Sequence, residues 1–284
     1  MPLRRAFGGV GLLLVPNLLW LMLFMIGPLL MLLAISFRGY QAGTGILDTW
    51  EIGQYLKFIT DPFYLGILLR TVLMGLGVTA LCALLGFPFA YALSRLRGLA
   101  RAMVYVLVLL PLLTSAVVRT FGWMILLGNN GFINRTLMDL GLTDVPVRLM
   151  YGMTGVVIAL AEVLLPFMIL ALDAALLNIP PSLYEAARNL GAGRARIFVQ
   201  VTLPLALPGL VSGSVLVFTL AVSAFVTPSL IGGPRVPVMS TLIYQQGMSL
   251  LNWPFGAAIG FTMLATILAL IALTSSMARR ERGV

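Results

Sequence analysis

The residues of this chain that could do chemistry are few. Histidine is absent and the single cysteine, Cys82, lies inside an apolar run. That removes the commonest general base, any intrachain disulfide and any cysteine-based metal cluster. The only lysine, Lys57, lacks the surrounding glycine pattern of a phosphate-cradling loop, so the chain cannot hold a nucleotide site of that type. Glu162 is the one carboxylate deep within an apolar stretch. A lone carboxylate without histidine or a second cysteine is too small a set for a membrane-embedded enzyme, and no catalytic residue, metal or cofactor is assigned.

Binding chemistry is better represented. Charges inside apolar segments are costly and face a cavity or a partner. Arg70 and Asp173 fall near the ends of such segments, where they can reach the interface. Glu162 and Arg119 lie deeper. Ser115, Arg119 and Trp123 share one helical face at i, i+4, i+8 spacing, and Ser212, Thr219, Ser223 and Thr227 make a second stripe. Together these could line a path for a small solute, with Glu162 attracting a cationic amine and Trp123 offering a cation–π face. Equally, Arg119 and Glu162 could pair with each other or with another chain. The Ser/Thr stripe could be helix-packing surface, a role that also suits the Gly209–Gly213 pair.

Around these residues the chain is 60% hydrophobic and only 10% charged, against about 25% charged in soluble domains. Such a chain cannot cover a water-facing surface, so its surface faces the lipid bilayer. Six runs reach the ~20 apolar residues a spanning helix needs: roughly 8–36, 66–94, 102–128, 151–178, 206–230 and 255–277. The first follows Arg4 and Arg5 but is too long for a signal sequence and is read as retained. Pro16, Pro28, Pro88, Pro111 and Pro166 fall inside spans, where kinks are expected. The expected architecture is all-α, one domain over residues 1–284, with six transmembrane helices.

The net charge of +9 forms no nucleic-acid footprint. The N-terminus, the 95–101 and 179–205 loops and the C-terminal tail (Arg279, Arg280, Arg282) hold eleven of the eighteen Arg and Lys. The positive-inside rule then places both termini in the cytoplasm, as an even number of spans requires.

The 179–205 loop carries the most specific pattern. After Pro180-Pro181, Ser182 followed by Glu185 reads as a capping box. Ala186, Ala187 and Leu190 favour helix, and Gly191 stands where a helix end takes a left-handed residue. A second helical segment should run through Phe198 and Val201, with Pro204 and Pro208 marking entry to the fifth span. Such a helix–turn–helix is either a plain linker or a knob for another protein to grip. The segment Thr227-Pro228 … Gly232-Gly233-Pro234 should end the fifth span, as a gate, a docking surface or an ordinary loop.

The order Glu185-Ala186-Ala187, Gly191, Val201, Leu203-Pro204 resembles the EAA loop of binding-protein-dependent ABC importer permeases, with Val201 where the family more often has Ile. Within that family, Pro111–Ser115 through Arg119–Trp123, Asn130–Asn134, Leu165–Leu170 and Phe225–Pro234 look most like spermidine/putrescine-type permeases. The resemblance implies a type I ABC importer permease fold in a bacterial inner membrane, with 182–191 as a cytoplasmic coupling helix. In it Ser182 and Glu185 cap and orient, Ala186 and Ala187 permit close approach, and Gly191 turns the chain. Arg188, Arg194 and Arg196 would pair with acidic groups on an ATPase or simply anchor the loop. The implied partners are two ATP-binding subunits, which would hold ATP and Mg, a second permease, a heterodimer being favoured, and a periplasmic solute-binding protein. No nucleic acid is implied. The alternative is a self-contained secondary transporter using Glu162 for ion coupling.

Overall fold

The structure is a computed structural model that describes residues 15–281, and side-chain surroundings for residues 15–273. Arg4, Arg5, the start of the first expected span, and the side chains of Arg279, Arg280 and Arg282 lie outside these. Contacts group the chain into two compact units. One takes the chain up to Leu65 together with Leu242–Leu270, and the other takes Gly66–Thr241 and resumes at Ile271.

The first unit opens with α1 (Val15–Ser36), an apolar helix with none of its hydrophobic window buried. Proline at 28 cannot donate to the preceding turn, and the ladder widens to a π turn over Met22–Ile26 just before it. A hairpin follows, β1 (Arg38–Gln41) against β2 (Gly45–Trp50), the only sheet among the described residues. Gly39 lets the strands close, since a Cβ there would stand 2.5 Å from Thr49 Oγ1 and push that side chain aside. Arg38 pairs with Asp48 at 3.1 Å and lies 4.5 Å from the Trp50 ring. Helix α2 (Gly53–Thr60) buries Gln54 and Phe58. Lys57 sits over the Phe255 ring at 4.6 Å.

The second unit holds most of α3 (Pro62–Leu93), then α4 (Gly98–Leu109) with a tight turn over Leu110–Leu113, α5 (Ala116–Leu127) and α6 (Phe132–Asp139). Next come α7 (Met153–Leu177), α8 (Pro181–Asn189), α9 (Arg194–Ile197) and α10 (Leu203–Ser223). Two short turns, Pro228–Gly232 and Gly233–Arg235, lead to α11 (Met239–Tyr244), which crosses the unit boundary. Helix α12 (Trp253–Glu281) ends the described chain.

Its core is the contact of α3, α7 and α10, made close by small residues. A Cβ on Gly209 would lie 2.4 Å from Ala175 Cβ, and one on Gly213 2.8 Å from Met168 Sδ. A Cβ on Gly75 would lie 2.5 Å from Val222. With lipid as apolar as the side chains, association rests on this close van der Waals packing. The Gly209–Gly213 pair therefore serves packing, and the hydroxyls of Ser212, Thr219 and Ser223 bond carbonyls of their own helix.

Among the described residues five helices are long and apolar enough to span a membrane, and a bent pair, Gly98–Leu113 with Ala116–Asp139, makes a sixth when counted as one broken span. Three sequence expectations are corrected. The third span is not one helix over 102–128. Pro111 cannot continue the ladder, Thr114 and Ser115 are extended, and the two halves meet at 94°. Ser115 thus flanks α5 and does not share a continuous face with Arg119 and Trp123. The fifth span begins earlier than 206, as a helical run from Arg194 through a π turn at Phe198–Thr202, and ends at Ser223 rather than 230. After the extended Ala224, the Thr227–Pro234 segment forms helical turns, with Ile231 and Gly232 buried.

Candidate functional site

The connection between α7 and α10 is built by its prolines and glycines. Pro180 occupies the N-cap of α8 and Pro181 its first turn, where a missing N–H costs nothing. The expected capping box does not form. Pro181 starts the helix one residue ahead of Ser182, so Ser182 is already helical, and neither Ser182 nor Glu185 makes a side-chain hydrogen bond among the described residues. At the other end Gly191 is left-handed at φ +77°. Its amide donates to the Arg188 carbonyl at 2.9 Å and the Ala192 amide to the Ala187 carbonyl at 3.0 Å. This paired closure is a Schellman motif, and it satisfies carbonyls that would otherwise be orphaned.

Helix α8 is therefore a short helix started by proline and closed at its C-terminal end by Gly191. Much of its surface is uncovered: Glu185, Ala186 and Arg188 are exposed, and Leu190 is 87% exposed. Gly193 caps α9, and Arg194 and Arg196 point outward from it.

The second cluster gathers Arg119 and Trp123 of α5 around Glu162 of α7. Trp123 Nε1 donates to Glu162 Oε2 at 3.2 Å, and Arg119 Nε stands 3.9 Å from the same oxygen. Arg119 Nη1 donates to the Pro111 carbonyl at 2.5 Å. It thus closes the end of the α4 half-span, where a cation suits the helix dipole. Glu162 keeps 35% of its side chain exposed while Arg119 keeps 14%. The carboxylate thus stays partly open, while the guanidinium is committed to the break. Ser223 is exposed, whereas Thr227 is buried against Thr120, their hydroxyls 3.3 Å apart. Ser115, Ser223 and Thr227 do not touch the Glu162 group through any hydrogen bond.

Two residues carry more structure than their sequence positions suggest. Asp173 does not reach the interface. It is fully buried, and its Oδ2 accepts from Arg101 at 2.6 Å and Tyr105 at 3.2 Å, because its side of α7 faces α4. Asn134, also fully buried, bonds the carbonyls of Gly128 and Val147 and accepts from the Val147 amide. It pins the 128–147 connection. The sequence offered Asn134 only as the end of the Asn130–Asn134 stretch, and nothing in that stretch tells that its side chain would turn back into the connection.

Long apolar helices packed through small residues, one of them broken, mark a multi-span membrane protein. Residues 75–283 match the family described as "Binding-protein-dependent transport system inner membrane component", and the chain belongs to it. It is the permease subunit of an ABC importer, a multi-pass inner-membrane protein rather than an enzyme. It is 33% identical to the spermidine/putrescine transport system permease protein PotB of Escherichia coli (strain K12), over 92% of this chain and 94% of that one. It is 31% identical to the molybdenum transport system permease protein ModB of Mycobacterium bovis, over 81% and 85%. The fold resembles a chain of a bacterial alginate ABC transporter solved with an alginate-bound periplasmic protein, with TM-score 0.77, 20% identity, and 97% and 96% coverage. Family membership sets aside the self-contained secondary transporter.

Proposed function

We propose that this permease forms half of the path for a small cationic solute of the polyamine type and passes the work of ATP hydrolysis to it through α8. The observation that carries the solute reading is Glu162, a carboxylate within a spanning helix that stays 35% exposed beside the Trp123 indole. A carboxylate and an aromatic face are what an ammonium group needs. The names of relatives such as PotB support the same class, although relatives named for molybdenum share the family.

In this reading both termini and α8 are cytoplasmic. Helix α8 docks on an ATP-binding subunit through Ala186, Ala187 and its exposed edge. Glu185, Arg188 and Arg194 meet polar groups there, and ATP and Mg are held by that partner. A second, related permease completes the path, two ATP-binding subunits drive it, and a periplasmic binding protein delivers the solute. The whole chain works as one permease domain. The apolar stretch of α1, with none of its hydrophobic window buried, offers ample surface for lipid or for the second permease.

The test is solute-stimulated ATP hydrolysis by the assembled transporter in proteoliposomes. Spermidine or putrescine, with the cognate binding protein, should stimulate it, whereas amino acids and sugars should not. Stimulation by an amino acid or sugar with none by either amine would overturn the polyamine reading.

A further inference from the structure

A cleft of about 880 Å³ opens between the α3–α4 turn and α8, lined among others by Arg95, Arg97, Arg188 and Tyr184. We propose that it binds a phosphate-bearing anion, the headgroup of an acidic phospholipid. The site is separate from the solute cluster, and it shares Glu185 and Arg188 with the α8 face proposed to meet the ATP-binding subunit.

The charge arrangement carries the inference. Four arginines border the cleft, yet the ion pairs among the described residues engage only Arg101 of these, with Asp173. Arg95 stacks on the Tyr91 ring, its Cζ 4.2 Å from the centroid, and donates to the Tyr91 hydroxyl, so it is positioned without being neutralised. Arg97 and Arg188 make no ion pair among the described residues. The cleft is bordered by a single carboxylate, Glu185. Three unneutralised guanidinium groups around one concave space repel one another, and an anion between them relieves that repulsion. Their planar forks suit phosphate oxygens in particular.

Depth selects the source. Leu93 ends α3, Gly98 begins α4 and Leu177 ends α7, so the cleft lies where membrane spans stop and lipid headgroups begin. Basic pockets between spans at that level hold acidic headgroups. Tyr91 and Tyr184 supply the amphipathic rings common at this boundary, and Leu177, 53% exposed, gives an apolar margin for an acyl chain.

Native mass spectrometry of the full chain in neutral detergent tests this, with equimolar phosphatidylglycerol and phosphatidylcholine of identical acyl chains. Wild-type protein should retain phosphatidylglycerol about tenfold more than phosphatidylcholine. Arg95→Gln/Arg97→Gln/Arg188→Gln should lose most of that preference. Arg148→Gln/Arg235→Gln, which removes charges bordering a different cleft, should keep it. Equal retention of both lipids by wild-type protein overturns the proposal without any variant, as does equal loss in the two variants. Displacement of the lipid by millimolar inorganic phosphate would assign the site to a free anion and overturn the lipid source. A site that takes neither lipid nor phosphate, and instead cross-links from Arg97→Cys to an acidic segment of the ATPase, also overturns it.

Discussion

Arg119 donates to the carbonyl of Pro111 at 2.5 Å, eight residues back and across the break between the two halves of the third span. A carbonyl freed by a broken helix inside a membrane must find a donor, because no water is there to supply one. The same side chain leans toward Glu162 at 3.9 Å. One residue thus ties the broken backbone to the candidate solute group.

Replacing Arg119 with Gln should destabilise the permease by about 1–3 kcal/mol, the cost of a buried acceptor losing its charged donor. Arg119→Lys should recover part of the loss, since it keeps the charge but not the fork. Thermal unfolding of the detergent-solubilised chain measures both. A substitution without effect would mean the break is held elsewhere.

Glu162→Gln removes the one mid-span carboxylate and keeps its shape. For an amine solute, the concentration giving half-maximal uptake should rise by about tenfold, the equivalent of one weak ion pair. Assembly and basal ATP hydrolysis should be unchanged. The readout is labelled putrescine uptake into proteoliposomes alongside ATPase rate.

The buried pair Arg101–Asp173 predicts an asymmetry. Arg101→Gln strands a carboxylate with none of its surface exposed, and should cost about 3–5 kcal/mol. The double variant Arg101→Gln/Asp173→Asn should be more stable than Arg101→Gln alone, because neutralising the aspartate removes the stranded charge. Comparing the three unfolding midpoints decides it.

At Gly209 an added methyl meets Ala175 at 2.4 Å and the Ala171 carbonyl at 2.8 Å. Gly209→Ala should therefore destabilise the α7–α10 contact by about 1–3 kcal/mol. Gly193, with open space around it, is the control position and should tolerate alanine. Unfolding in detergent distinguishes the two.

These residues also show how much the sequence disclosed. Gly191 was readable because a left-handed closure leaves a residue-type signature, and Gly209 with Gly213 because helix spacing puts them on one face. Ser182 misled because a capping box and a proline start share the same residues, and the rigid Pro181 decides where the helix begins. The break at Thr114–Ser115 was hidden because Pro111, like Pro88 and Pro166, is tolerated within helices. Only packing reveals which proline breaks one. Asp173 was misplaced because distance from a helix end says nothing about which neighbour its face meets. The Trp123–Glu162 contact joins two helices, and no periodicity within either reports it.

The central claim is that α8, closed by Gly191, transmits ATP hydrolysis to the path. It is tested most directly by replacing residues 182–191 with a glycine-serine linker of equal length in the assembled transporter. Solute-stimulated ATP hydrolysis and co-purification of the ATPase are then measured. The account predicts that stimulation is lost and that the ATPase detaches or hydrolyses ATP without responding to solute. Normal assembly with undiminished stimulated hydrolysis would contradict it.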